Sequence, residues 1–408
     1  MRLSRRVLLG SAAAAASLPG LRARAQGATL KIGVLTDLSG PYKDLAGPGA
    51  IESARLALAD FGVSAKGMNV EVLSADHQNK ADIGTNVARQ WFDRDGVDII
   101  LECANSAVGL AVANVAKEKN KVYINSGAAT SDLTGAQCNA NTIHWVYDTY
   151  MLAKSTGGAM VKTGGDSWFI VAADYAFGHA LQRDTTAFVE QAGGKVLGTV
   201  RYPFPGTSDF SSFLLQAQAS GAKVLGLASA GADVINSIKQ AKEFGISQRM
   251  RLAGLLIFLS DVHSLGLEVA QGLTLTESFY WDLNDGTRRF SDKFIRRLPG
   301  RRPTMVQAGV YSSTLHYLKV AQAMGVAQAK ADGAATTAQL RATPTEDDCF
   351  GRGSIRPDGR KLHPAYLFEV KKPSESRGAW DYYKLLATTP ADQAFRPLEA
   401  GACPLVRA

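Results

Sequence analysis

Cysteine is scarce, and none of the four (Cys103, Cys138, Cys349, Cys403) sits in a C-x-x-C pair, which argues against thioredoxin-like and zinc-ribbon chemistry. The six histidines (His77, His144, His179, His263, His316, His363) are scattered without the pairing of zinc sites, so no metal is expected. No apolar run beyond the N-terminal region approaches the length that crosses a bilayer. The stretch with Gly157-Gly158 and Gly164-Gly165 lacks the G-x-G-x-x-G fingerprint, so no nucleotide or other cofactor is expected. A nucleophile elbow is nearly present in Leu227-Ala228-Ser229-Ala230-Gly231. Leu227, however, stands where the strained turn needs a residue without Cβ, which weakens the reading as an exported α/β hydrolase. Excess charge is missing too. Arg2, Arg5, Arg6, Arg22 and Arg24 fall in the first 26 residues, leaving 40 basic against 37 acidic residues, too even a balance for nucleic acid.

What is there describes a globular protein: 408 residues, 46% hydrophobic and 20% charged, enough for two domains that each bury a core. Residues 1–25 read as an export signal. Met1 to Arg6 is basic, Val7 to Leu18 is apolar and Ala-rich, and Ala23-Arg24-Ala25 offers small residues for cleavage before Gln26. Ser4-Arg5-Arg6-Val7-Leu8-Leu9 fits a twin-arginine signal, with a Sec signal the competing reading. Either leads out of the cytoplasm. The cleavage region has no cysteine, so no lipid anchor is expected.

The chain is organised around 97–133. Val97 to Leu101 and Lys121 to Asn125 read as parallel strands flanking a helix from Ala107 to Lys119. Each strand runs straight into small polar residues, Asn105 and Ser106 after the first and Ser126 to Thr130 after the second. In open parallel sheets ligands bind outside the carboxyl ends of the strands, where such turns present N–H groups and hydroxyls to an anion or carbonyl. The competing reading is that they only cap the next helix. Their recurrence on neighbouring strands favours a site.

Before this stretch, Thr29 to Thr36 is a strand whose turn, Asp37-Leu38-Ser39-Gly40-Pro41-Tyr42, brings Ser39 and Tyr42 to the same end. A helix over 49–61, a strand over 68–74 and a helix through Trp91 complete an alternating run. After Cys138 an aromatic segment, Ile143 to Tyr150, breaks the pattern, and alternation restarts at Ser167. Strands over 167–172, 195–202, 223–228 and 251–258 require a second sheet. Further on lie a crossing at 272–279, helices at 287–297 and 304–323, a linker over 325–333, and an antiparallel hairpin of 365–371 with 382–387.

Here the chain resembles the periplasmic substrate-binding proteins of the leucine/isoleucine/valine-binding type. The likeness runs from Thr29 to about Asp358 through KIGVLTDLSGP, INSGAATSDLTG, the D-Y-x-F-G turn at Asp174 to Gly178, TSDFSSFLLQAQASGAKVLGL and SIKQAKEFGI. It implies a type I periplasmic binding fold, α/β, with two doubly wound parallel-sheet lobes joined by three crossovers. The expected division is 28–142 with 275–352 for lobe 1, 143–274 with 353–388 for lobe 2, and a C-terminal tail over 389–408. Crossovers are expected near 141–147, 273–280 and 351–360. The protein is expected in the periplasm, as a monomer without catalytic activity, handing a small-molecule ligand to a membrane-embedded ABC permease and its ATPase subunits. A membrane-receptor sensor domain shares the fold, and the absence of a downstream span or signalling domain disfavours it.

The resemblance also implies site residues. Ser106 stands after the strand that supplies a hydroxyl to the ligand carboxylate, and Ala128, Ala129 and Thr130 match the turn whose N–H and hydroxyl hold it. Phe177 stands at an aromatic lid position, and Asp233 faces the cleft or caps its helix. Amino-acid binders place an acid at the end of the strand that is 251–258 here, to pair with the ammonium. This chain reads Gly254-Leu255-Leu256-Ile257-Phe258, with no acid before Asp261, and an unpaired buried ammonium is costly. An aromatic carboxylate is the expected ligand, with a branched-chain amino acid or amide the alternative. About three of Trp145, Tyr147, Tyr150, Phe177, Phe258, Tyr280 and Trp281 are expected as ring contacts. Asp148, His144 or Tyr150 would read a phenolic hydroxyl.

Four cysteines in an exported chain allow three pairings. Cys138 with Cys403 would tie down the tail, at about 4 kcal/mol in the entropic model, and Cys103 with Cys138 is the competitor.

Overall fold

The computed structural model describes residues 28–406, so the expected export signal lies outside the described residues. The first sheet holds β1 (Leu30–Thr36), β2 (Val70–Asp76), β3 (Ile99–Glu102), β4 (Val122–Asn125) and β5 (Thr142–His144), all parallel, in the order β2-β1-β3-β4-β5. β3 and β4 are buried at every residue. That is why they read as unbroken apolar runs rather than alternating ones. The second sheet holds β6 (Ser167–Ala173), β7 (Lys195–Tyr202), β8 (Val224–Ala228), β9 (Arg251–Gly254) and β10 (Thr274–Glu277) in parallel. β11 (Thr345–Asp347) pairs with β12 (Gly351–Gly353) as a separate ribbon, and β13 (Ala365–Val370) and β14 (Tyr383–Thr389) extend the second sheet antiparallel.

The structure differs from the expectation at two lobe boundaries and at one linker. β10 pairs with β9 and β13, so 275–277 belong to the second lobe and the crossing comes after Glu277. Residues 143 and 144 stay in the first lobe, because Ile143 and His144 continue the ladder as partners of Ile124 and Asn125. The expected linker at 325–333 holds the helix Val326–Ala331, and Asp332 then caps a helix Gly333–Ala342 by accepting from the Ala335 N–H.

The first lobe is completed late in the sequence. Its central helix, Met305–Met324, is buried around most of its circumference and packs on the helix Gly47–Phe61. Thr304 and Gln307 form a reciprocal capping box at its start, and Thr304 Oγ1 also donates to Leu45 O at 2.6 Å. The tail after Thr389 also returns to this lobe. Phe395 is buried beneath the Arg360 guanidinium, 4.4 Å from it, Arg396 donates to Ser131 O, and a disulfide joins Cys403 to Cys138. Cys103 and Cys349 are free, buried thiols.

Candidate functional site

The two sheets face each other across a cavity of about 220 Å³, lined by Tyr42, Leu45, Ala104, Ser106, Gly127, Ala129, Tyr147, Tyr175, Phe177, Ala230, Leu256 and Phe258. Each lobe contributes the turns at the carboxyl ends of its strands, and in the first lobe these flank the point where the order β2-β1-β3 reverses. No Asp, Glu, Lys, Arg or His is among the lining residues.

Tyr42 is set by Asp37. This buried carboxylate accepts from the N–H of Gly40 at 2.6 Å and of Tyr42 at 2.8 Å, and from Asn79 Nδ2 at 2.7 Å, folding the turn back on itself. The Tyr42 hydroxyl then meets that of Tyr175 at 2.6 Å across the cleft, and both rings stack on Phe204. The lobes also touch through the Ala232 N–H, which donates to Pro41 O at 3.2 Å. Gly231 makes this approach possible. Its φ is 59°, and a Cβ there would lie 2.3 Å from Pro41 O.

Ser106 opens the helix Ser106–Glu118, capped by Asn105, whose Oδ1 accepts from the N–H groups of Ala107 and Val108. Asn105 is therefore committed to the cap, and its Nδ2 to Asn79, so it does not reach the cavity. Ser106 Oγ accepts from the Thr130 N–H at 3.1 Å, which leaves its own proton to donate into the cavity. The Ala128 N–H is spent on Asn125 Oδ1 at 2.8 Å, and Thr130 Oγ1 accepts from the Asp132 N–H. Neither Ala128 nor Thr130 lines the cavity. Within Ala128 to Thr130, the Ala129 N–H closes no hydrogen bond among the described residues. The donors at the cavity are this N–H, the Ser106 hydroxyl and whichever of the paired Tyr42 and Tyr175 hydroxyls does not donate to the other.

Six of the expected contacts meet here: Tyr42, Ser106, Ala129, Tyr147, Phe177 and Phe258. Tyr147 and Phe258 pack edge to face, 5.7 Å between centroids. The rest stand elsewhere. Ser39 donates to Asp76 at 2.6 Å on the rim. His144 is buried in β5, and Tyr150 packs edge-on against Phe188. Asp148 is paired with Arg360 and caps Met151, and Tyr280 belongs to the second lobe's core against Phe368 and Tyr383. Asp233 accepts from the Tyr202 hydroxyl at 3.0 Å; burial pushes its carboxyl up to about 6, against the pull of that hydroxyl. Trp145 donates to Ser312, and Trp281 to Trp380 O. Of the seven aromatic candidates, Tyr147, Phe177 and Phe258 line the cavity.

Tyr175, missed in the sequence, lies in the D-Y-x-F-G turn two residues before Phe177. Leu45, Ala104 and Leu256 were missed because small or apolar residues carry no chemical signal, while Gly127 and Ala230 lie in stretches the sequence places at the cleft. Asp261 accepts from the Phe258 N–H at 3.0 Å at the start of the next helix and does not line the cavity. Burial raises its carboxyl to about 7, and this acid is turned into its own helix cap.

A family model described as periplasmic binding protein matches residues 29–378. A periplasmic binding protein from Burkholderia mallei is 50% identical, with a TM-score of 0.89 over 93% of this chain and 99% of that one. A branched chain amino acid ABC transporter periplasmic ligand-binding protein from Burkholderia xenovorans is 39% identical, with a TM-score of 0.80 over 92% and 99%. A solute-binding protein of an ABC transporter from R. palustris, solved in complex with benzoate, shares the fold at 19% identity, with a TM-score of 0.81 over 92% and 100%. With two facing α/β lobes around a small cavity and this match along most of its length, the chain belongs to the periplasmic binding protein family, as a non-enzymatic substrate-binding protein of an ABC transporter of the Leu/Ile/Val-binding type.

Proposed function

We propose that the protein captures a small aromatic carboxylate in the periplasm and delivers it to an ABC permease driven by its ATPase subunits, acting as a monomer exported by its N-terminal signal. The Ser106 hydroxyl and the Ala129 N–H hold the carboxylate, and Tyr42, Tyr147, Tyr175, Phe177 and Phe258 enclose the ring. One observation carries the ligand class: the lining combines these aromatic rings with uncharged donors and no ionised side chain. An anion held by neutral donors is well satisfied there, whereas a ligand ammonium would be buried without a partner. The benzoate complex of the R. palustris protein supports the same class, as a likeness of fold alone.

The test is a thermal-shift panel of benzoates, cinnamates, aliphatic amino acids and amides. A ligand at a hundred times its dissociation constant stabilises by about 2.7 kcal/mol. Benzoates are expected to shift the transition clearly. A shift with leucine and none with any aromatic acid refutes the reading. The second reading, a branched-chain amino acid, is favoured by the likeness to the branched chain amino acid transporter protein of Burkholderia xenovorans.

A further inference from the structure

Glu102 ends β3 directly beneath the cavity, with no exposed surface. Its Oε1 lies 2.2 Å from where a Cβ on Gly127 would stand, and Gly127 and Ala104 both line the cavity. Neither carboxyl oxygen closes a hydrogen bond, and no lysine or arginine pairs with it among the described residues. The backbone is held in the left-handed region at two consecutive non-glycine residues, with φ of 83° at Glu102 and 69° at Cys103. Such strain is found where the surroundings impose a conformation, commonly at functional sites. Two bonds impose it here: the Cys103 N–H donates to Leu35 O at 2.9 Å, and the Tyr123 hydroxyl to Glu102 O at 3.1 Å. Their effect is to seat an acid under the floor of a cleft whose lining carries no charge.

We propose that Glu102 is a specificity-determining residue that sets which ligand charge the cleft accepts: protonated, it keeps the floor neutral and admits an anionic end, and ionised, it repels that end. This rests on the reading of the site as a carboxylate site. The groups facing Glu102 are Thr36 and Asp37 at the end of β1, Cys103 beside it, Tyr123 on β4 and Tyr147 from the first crossover. None of them carries a positive charge. Burial, with the Asp37 carboxylate adding in the same direction, raises the Glu102 carboxyl to about 8. Glu102 thus stays neutral around pH 7 and ionises just above it.

The experiment titrates benzoate by calorimetry into the mature protein and into Glu102→Gln from pH 6 to 9, with ligand-free thermal unfolding of both over pH 5 to 9. When only the protonated form binds, the apparent dissociation constant scales inversely with its population. Wild-type affinity is therefore expected to fall about tenfold between pH 7 and 9, while Glu102→Gln changes less than twofold. The folded carboxyl titrates above its unfolded value, so the folded state binds more protons between these two pKa values and the wild type loses stability relative to Glu102→Gln as pH rises from about 4.5 to about 8. Equal pH profiles of affinity in the two proteins, or a flat stability difference, overturn the proposal while leaving the aromatic-acid reading intact. If benzoate binds neither protein and leucine binds, the aromatic-acid reading falls. Glu102 then keeps its role only if wild-type leucine affinity drops over the same range and that of Glu102→Gln does not; a wild-type affinity that rises with pH overturns it.

Discussion

At the scale of residues, two neighbours in sequence do different work. Ser106 accepts from the Thr130 N–H and keeps a proton for the ligand, whereas Asn105 spends its side chain on the helix end and on Asn79. Hydrogen bonds to charged groups contribute about 1.5–3 kcal/mol. Ser106→Ala is therefore expected to weaken benzoate binding by about tenfold or more in calorimetry. Asn105→Ala is expected to lower stability by about 1 kcal/mol through the lost cap, with a much smaller effect on affinity. A single distinction explains what the sequence could convey about the site. Small polar residues at strand ends mark where donors gather, which made Ser106 visible. Which N–H groups remain free depends on tertiary capture, as when Asn125 takes that of Ala128. The acid at Glu102 was invisible for a related reason: it closes a wholly apolar run, and nothing local indicates that φ turns positive there.

At the scale of elements, the strands of both sheets were legible because parallel strands buried on both faces are continuous apolar runs between turn residues. The register that assigns each strand to a lobe was not. β5 and β10 are short, with three and four residues, and their partners are set by hydrogen bonding to distant strands. The tail is the element with the least secondary structure of its own, and it is tied to the first lobe by the Cys138–Cys403 disulfide, Arg396 and buried Phe395. Cys403→Ser is expected to lower unfolding stability by about 2–5 kcal/mol, measured by calorimetry without reductant. Reductant added to the wild type is expected to reproduce most of that loss.

At the scale of the whole molecule, the Tyr42–Tyr175 and Pro41–Ala232 contacts across the cleft mark a closed arrangement. Ligand is expected to contract the protein in small-angle scattering. Gly231→Ala is expected to block full contraction and to weaken binding, since a Cβ there meets Pro41 O at 2.3 Å. Unchanged contraction in this variant would show that the contact is dispensable for closure.

The interleaving of the lobes also orders events during synthesis. The second lobe has its five parallel strands in 167–277, and β13 and β14 arrive only after a long excursion through the first lobe's helices. The first lobe has all the strands of its sheet by residue 144, yet its central helix begins at Met305 and its disulfide partner at Cys403 emerges 265 residues after Cys138. Domains generally fold as units, so the first-made half of this chain cannot complete its core until nearly all of the second has been translated. Its exposed sheet face would meanwhile be open to wrong partners, and a chaperone that holds the nascent chain would act on that face first.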